Sequence, residues 1–318
     1  MSWEVIIPFL RPIEPLILDP EISDIMVNGP DRIFIEKFGK LEKVPGVSLS
    51  EKALQVAIRN IARRLGDDIS EAKPILDARL PDGSRLTAVI VPCSVNGTTL
   101  AIRKFQSQLY GPEDLVRIET LTPELLLQLR TVVELGKNIL ISGGTGTGKT
   151  TLLNALSQFI PPEERVIVIE DTAEIQIEKD NLVRLEARRE QPGIPAVSIR
   201  DLLKATLRLR PDRIIVGEIR GGEAFDFLQA LNTGHSGSMT TIHANFAADA
   251  ISKFATYVLM SGVDLPYRVI RQQIAESLDL VIQLRREPGK RIVSQVLKIK
   301  HYVPAEDYYE FESVYERK

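Results

Sequence analysis

A glycine-rich turn at residues 143–150 constrains this chain more than any other feature. It contains Gly-Gly-Thr-Gly-Thr-Gly-Lys-Thr and fits the pattern G-x-x-x-x-G-K-[ST]. An apolar run at 139–142 predicts a strand before the turn, and residues 150–159 predict a helix after it. Glycines in this context let the backbone curl, so that several N–H groups and the helix N-terminus face one phosphate group. The sequence therefore predicts a phosphate-binding α/β fold.

Two side chains of this turn carry chemistry suited to a nucleoside triphosphate. Lys149 supplies positive charge to the β- and γ-phosphates, and the Thr150 hydroxyl can ligate Mg²⁺. The turn alone leaves an ATPase, a GTPase and a kinase of a small substrate open. No Asn-Lys-x-Asp or Thr-Lys-x-Asp motif follows it, which disfavours a guanine-specific enzyme. We assign nucleotide binding to Gly143, Gly144, Thr145, Gly146, Thr147, Gly148, Lys149, Thr150 and Thr151, and the Mg²⁺ ligand to Thr150.

Composition narrows the remaining classes of protein. The chain has 318 residues, enough for two domains, and its net charge is −3 from 40 Lys and Arg against 43 Asp and Glu. Bulk attraction to nucleic acid or to an anionic membrane is therefore not expected. The single cysteine, Cys93, excludes an intramolecular disulfide and a cysteine-rich zinc site. No run of about 18 apolar residues predicts a membrane-spanning helix.

The order of predicted elements divides the chain into two domains. Residues 1–106 combine short strand-like runs, turns such as Asn28-Gly29, and a helix that Ser50 caps, which predicts a small α+β domain. Residues 107–122 are predicted to be a linker. Residues 123–318 are the second predicted domain, in which apolar strands alternate with helices from residue 138 to residue 231, an order typical of a parallel sheet covered on both faces.

Acidic residues follow two of the predicted parallel strands. Glu174 comes four residues after the strand that ends at Glu170, and Glu218 follows the strand that ends at Gly217. Side chains at the carboxyl ends of such strands project into the crevice where α/β sheets bind ligands. Glu218 is suited to orient or polarise an attacking water molecule. The alternative is that these acids are solvated or form ion pairs with nearby arginines.

Two histidines and two arginines complete the candidate site. His243 ends a predicted strand and can hydrogen-bond a γ-phosphate or respond to its loss, while His235 lies in a turn between glycines. Arg85 and Arg103 lie on predicted strands of the N-terminal domain, and a guanidinium group can bind γ-phosphate oxygens in a fork. Surface ion pairs are the alternative for both arginines.

Four motifs in this order resemble the secretion ATPase superfamily, which powers type II secretion, type IV secretion and conjugation, and the assembly of type IV-like pili. The motifs are the phosphate loop at 143–150, an acidic box at 169–174, a strand-end motif at 209–220 and a histidine box at 234–244. Residues 80–85, 100–105 and 232–239 are similar to the tight-adherence pilus and type IV secretion ATPases.

The resemblance implies a RecA-like P-loop ATPase domain preceded by a smaller α+β domain, ATP and Mg²⁺ as ligands, and a homohexamer. It implies that Glu174, Glu218 and His243 are functional and that Arg85 and Arg103 reach the terminal phosphate. It also implies a cytoplasmic ATPase associated peripherally with inner-membrane platform proteins, without zinc. A RecA-like nucleic-acid translocase or helicase remains the alternative, although the sequence pI near 5.8 and the lack of a basic stripe disfavour it.

Overall fold

Two separate β-sheets organise the chain. The computed structural model describes residues 7–37, 39–80, 82–105, 110–190 and 193–317. The chain divides into a first unit of residues 1–108 with 191–194, and a second unit of residues 109–190 with 195–318. Across the described ranges, we find no helix with the length and apolar character needed to span a membrane.

The first unit is an α+β fold built on an antiparallel six-stranded sheet, with the strand order β3-β2-β1-β6-β5-β4. Two short 3-10 turns, Ile7–Phe9 and Arg11–Ile13, precede the helices and strands. Its helices and strands are α1 (Glu14–Leu18), β1 (Ile22–Asn28), β2 (Ile33–Lys37), β3 (Lys40–Lys43), α2 (Glu51–Arg64), β4 (Ile75–Arg79), β5 (Arg85–Val89) and β6 (Thr99–Arg103).

Local sequence signals explain these elements. The turn at Asn28-Gly29 joins β1 to β2 as the predicted antiparallel hairpin, and Gly29 has a positive φ of 86°. The Ser50 side chain accepts a hydrogen bond from the Ala53 N–H at 3.2 Å, which caps α2 as predicted. The apolar face of α2, including Leu54 and Ile58, is buried in the core of this unit.

The second unit contains an eight-stranded sheet with the order β14-β13-β12-β7-β11-β10-β8-β9. Its helices and strands are α3 (Pro112–Arg117), α4 (Pro123–Glu134), β7 (Ile139–Gly143), α5 (Lys149–Ser157), β8 (Val166–Glu170), β9 (Leu182–Glu186), α6 (Ile199–Thr206), β10 (Arg213–Val216), α7 (Glu223–Asn232), β11 (Met239–Ile242), α8 (Ala247–Met260), α9 (Tyr267–Ser277), β12 (Leu280–Glu287), β13 (Lys290–Val303) and β14 (Tyr308–Glu316). Helix α3 lies in the segment predicted to be a linker, of which residues 107–109 are outside the described ranges.

Six strands of this sheet, from β12 to β9, run parallel, and β13 and β14 continue it in antiparallel pairing. Both faces are covered by apolar clusters: Leu140 of β7 belongs to one cluster, while its neighbours Ile139 and Ile141 belong to the other. The predicted α/β architecture is confirmed. Since β7, β8, β10 and β11 run parallel, their carboxyl ends meet at one edge of the sheet, and this edge holds the candidate site.

Candidate active site

The phosphate loop joins β7 to α5, as the motif predicts. Gly148 precedes α5 with a φ of 91°, and Gly146 has a φ of 69°, so both occupy a region that side chains disfavour. A Cβ added to Gly143 would lie 2.5 Å from Thr147 Oγ1, and that hydroxyl donates a hydrogen bond to the Gly144 carbonyl at 2.9 Å. These glycines are therefore required for the tight curl of the loop.

The Lys149 ammonium group lies inside this loop. The residue is only 8% exposed, and its Nζ donates hydrogen bonds to the carbonyls of Gly143 at 3.1 Å and Gly144 at 2.9 Å. A buried ammonium that is held by carbonyl oxygens at the start of a helix supplies positive charge where a phosphate binds. Thr145 lies in the same loop, and Thr150 and Thr151 lie in the first turn of α5.

Glu218 follows β10 at the same edge of the sheet. Its Oε2 accepts hydrogen bonds from Arg220 Nε at 2.8 Å and Nη2 at 2.6 Å. Its Oε1 lies 2.8 Å from His243 Nε2, but without the alignment of a hydrogen bond. One carboxylate oxygen is thus held by the guanidinium group, and the other faces the imidazole ring.

His243 lies between the phosphate loop and Glu218. Its Nδ1 is 3.4 Å from Lys149 Nζ, while its Nε2 faces Glu218. Because an ammonium group only donates, Nδ1 must accept, so we assign the ring proton to Nε2. Burial lowers the pKa of His243, the charge of Lys149 lowers it further, and the charge of Glu218 opposes this shift. The imidazole is therefore neutral at neutral pH.

Glu170, the last residue of β8, is a member of this site that our sequence assignment left out. It is 3% exposed, and its Oε1 accepts hydrogen bonds from the N–H groups of Glu174 at 2.9 Å and Ile175 at 2.8 Å. Burial raises its pKa to about 7, although these two backbone hydrogen bonds oppose the rise. Its position at the end of an apolar strand was the available signal. Glu170 fixes the backbone that carries Glu174, which is itself partly exposed.

Gly217 explains why the Glu170 side chain fits at the end of β8. A Cβ at Gly217 would lie 3.1 Å from Glu170 Cγ, closer than most side chains tolerate. Because Gly217, the residue directly after β10, has no side chain, there is room for the neighbouring Glu170. Arg220 also lies 3.8 Å from Asp171 of the acidic box, so this arginine links the box to Glu218. Our sequence assignment did not include Arg220.

His235 and Arg213 belong to the other edge of the sheet. His235 precedes β11, and its Nδ1 lies 3.1 Å from the Ala230 carbonyl. The buried Arg213 guanidinium pairs with both carboxylate oxygens of Glu164 and donates to the Val133 carbonyl at 3.2 Å. These contacts are structural, and they lie at the amino ends of the parallel strands, away from the phosphate loop.

Arg85 and Arg103 are direct partners on β5 and β6 of the first unit. Asp24 of β1 is the next partner in the same row, with its Oδ1 3.8 Å from Arg103 Nε. Like charges placed opposite each other on adjacent strands are unfavourable. The Asp24 carboxylate in the same row partly relieves this repulsion.

A parallel sheet whose phosphate loop faces a carboxylate and a histidine defines a P-loop nucleotide hydrolase. The chain belongs to the Type II/IV secretion system protein family, whose model matches residues 10–305. It is 36% identical over 287 residues to the conjugal transfer protein TrbB of Rhizobium radiobacter, covering 89% of this chain and 85% of that protein. It is 35% identical over 317 residues to the type IV secretion system protein PtlH of Bordetella pertussis, covering 91% and 93%.

Among solved structures, the chain matches the VirB11 ATPase of the Brucella suis type IV secretion system. That match has a TM-score of 0.51 and 31% identity, and it covers 93% of this chain and 94% of VirB11. The ATPase DotB of Legionella pneumophila shows the same fold, with a TM-score of 0.64 and 22% identity. That match covers 92% of this chain and 80% of DotB. The chain is therefore a nucleotide-binding secretion ATPase, as the motifs predicted, and a nucleic-acid translocase is not favoured.

Proposed function

We propose that this chain is the hexameric ATPase motor of a type IV secretion or conjugation apparatus, acting at the cytoplasmic side of the inner membrane. TrbB is a conjugal transfer protein and PtlH is a type IV secretion system protein, so these relatives support conjugation and type IV secretion among the machines that the resemblance implies. The hexamer and the docking to inner-membrane platform proteins follow from the same resemblance. The observation that carries the proposed chemistry is the position of His243 between Lys149 and Glu218.

Lys149 and the backbone N–H groups of the phosphate loop hold the β- and γ-phosphates of ATP. The Thr150 hydroxyl is a hard oxygen ligand at the start of α5, which fits Mg²⁺ shared with the phosphates. Among the described residues, no group of three or more His, Cys, Asp or Glu side chains is placed to hold a metal ion. Bound Mg²⁺ would neutralise charge that develops on the phosphates.

Glu218 orients and polarises the attacking water through the carboxylate oxygen that faces His243. Arg220 holds the other oxygen and so fixes the direction of the carboxylate. The neutral His243 contacts both Lys149 and Glu218, so it can relay the loss of the γ-phosphate from the loop to the carboxylate. Glu174, whose backbone Glu170 holds, is the second functional acid.

Arg85 and Arg103 bind the terminal phosphate of ATP. Their pairing across β5 and β6 places two guanidinium groups in one row, a charge pattern that favours ATP over ADP because ADP lacks the γ-phosphate. A ligand shifts a conformational equilibrium only through such differential affinity. Hydrolysis would then release the arginines, and the resulting conformational change would do the mechanical work.

The test compares Glu218→Gln with the control Glu163→Gln, an exposed glutamate before β8 at the opposite edge of the sheet. Glu218→Gln should bind ATP with wild-type affinity and hydrolyse it about 10²–10⁴ times more slowly, because the amide keeps the shape but loses the basic oxygen. Loss of ATP affinity with unchanged turnover per bound ATP would contradict this role. Sedimentation of the wild type with ATP should show a hexamer, and a persistent monomer would contradict the assembly.

A further inference from the structure

Thr241 of β11 holds the backbone on both sides of Glu218. Its hydroxyl donates a hydrogen bond to the Gly217 carbonyl at 2.7 Å, and its own carbonyl accepts one from the Ile219 N–H at 3.0 Å. The Gly217 carbonyl belongs to the peptide group before the Glu218 Cα, and the Ile219 N–H belongs to the peptide group after it. One residue therefore fixes the two planes that set the Glu218 backbone conformation.

The hydroxyl bond lies where the regular ladder ends. Strands β10 and β11 pair in parallel at Ile215 with Met239 and at Val216 with Thr240. Beyond this point the Thr241 side chain supplies the donor for the Gly217 carbonyl. Thr241 is 2% exposed, so water cannot readily replace its hydroxyl.

We propose that Thr241 is a positioning residue for hydrolysis, which acts through Glu218 and keeps its carboxylate directed at the attacking water. This inference rests on the proposed role of Glu218. The Thr241 hydroxyl bonds the Gly217 backbone and not the phosphate loop, so its loss changes the chemical step more than nucleotide binding. Misplacement of a reacting group lowers the rate steeply, because the productive geometry is narrow.

The chain offers matched variants for the test. Thr241→Val keeps the shape and removes the hydroxyl, whereas Thr241→Ser keeps the hydroxyl and removes the methyl group. Thr240→Val is the control, since Thr240 is fully buried on the same strand and its hydroxyl lies at a long 3.4 Å from the Thr241 carbonyl. Thr241→Val should lower kcat about ten-fold, with KM for ATP and ADP affinity within about two-fold of wild type. Thr241→Ser and Thr240→Val should stay within about two-fold of the wild-type kcat.

A double variant separates positioning from general destabilisation. Adding Thr241→Val to Glu218→Gln should lower kcat no further, since the residue acts through the carboxylate that is already lost. A further ten-fold fall, or a Thr241→Ser variant as slow as Thr241→Val, would overturn the inference. If Thr241→Val does not fold, Thr241→Ser against Thr241→Ala gives the same comparison of the hydroxyl group, and equal rates would overturn it.

The two levels of the proposal fail in different ways. A slow Glu218→Gln enzyme beside a fully active Thr241→Val enzyme would overturn only the role of Thr241. Wild-type turnover by Glu218→Gln would overturn the role of Glu218 and this inference together.

Discussion

Glu170 should make the second unit less stable as the pH rises. Burial raises the pKa of this carboxyl group to about 7 in the folded state, from an unfolded value of 4.5. The folded state therefore binds more protons than the unfolded state between these two values, so stability falls through that window. Glu170→Gln removes the ionisation and keeps an oxygen that can accept from the N–H groups of Glu174 and Ile175.

The expected gain follows from the size of the shift. At about 1.4 kcal/mol per pKa unit, Glu170→Gln should be more stable than wild type by about 3 kcal/mol at pH 8, and the gain should vanish near pH 4. Calorimetric unfolding over this pH range, with each unit followed separately, measures the difference. Glu178→Gln is the control, since Glu178 is exposed on the same segment. A gain that does not change with pH, or a less stable variant at pH 8, would refute the reasoning.

Two further predictions concern arginines. Arg85→Ala and Arg103→Ala should lower ATP turnover strongly and ADP affinity less, in variants that melting shows to be folded. Wild-type turnover in both variants would mean that neither arginine takes part in hydrolysis. Gly237→Ala should destabilise the protein by about 3 kcal/mol or more in urea unfolding, because its Cβ would lie 1.4 Å from Arg213 Nη1 and break a largely buried ion pair. Gly136 also has a positive φ, but a Cβ added there would lie 3.5 Å from Arg213 Nη1. Gly136→Ala should therefore lower the free energy of unfolding by only about 1–2 kcal/mol, and equal losses in the two variants would contradict this account.

Features of the fold that depend on local signals were predictable from the sequence. The Ser50 cap, the turn at Asn28-Gly29 and the phosphate loop each need only a few consecutive residues. The convergence of the loop, Glu218 and His243 also followed, because carboxyl ends of parallel strands meet at one edge. Their individual roles remain predictions.

Features that depend on distant contacts were not predictable in this way. Our sequence analysis did not predict strands β12 to β14. In β13, the alternation of buried and exposed side chains is interrupted where its pairing with β12 and β14 shifts register. The turn at Pro288-Gly289 was a local signal for the hairpin of β12 and β13. Glu170 is buried because Gly217, directly after the neighbouring strand β10, leaves room for it, and no local pattern encodes that packing.

The central claim is that the phosphate loop is where this chain hydrolyses ATP, and Lys149→Ala tests it most directly. Removing the ammonium group deletes the main side-chain charge offered to the β- and γ-phosphates. Lys204→Ala, an exposed lysine of α6, is the control for loss of a positive charge. Steady-state phosphate release should be abolished in Lys149→Ala, although melting shows that the variant is still folded, and should be normal in Lys204→Ala. Near-normal turnover by a folded Lys149→Ala protein would contradict the claim.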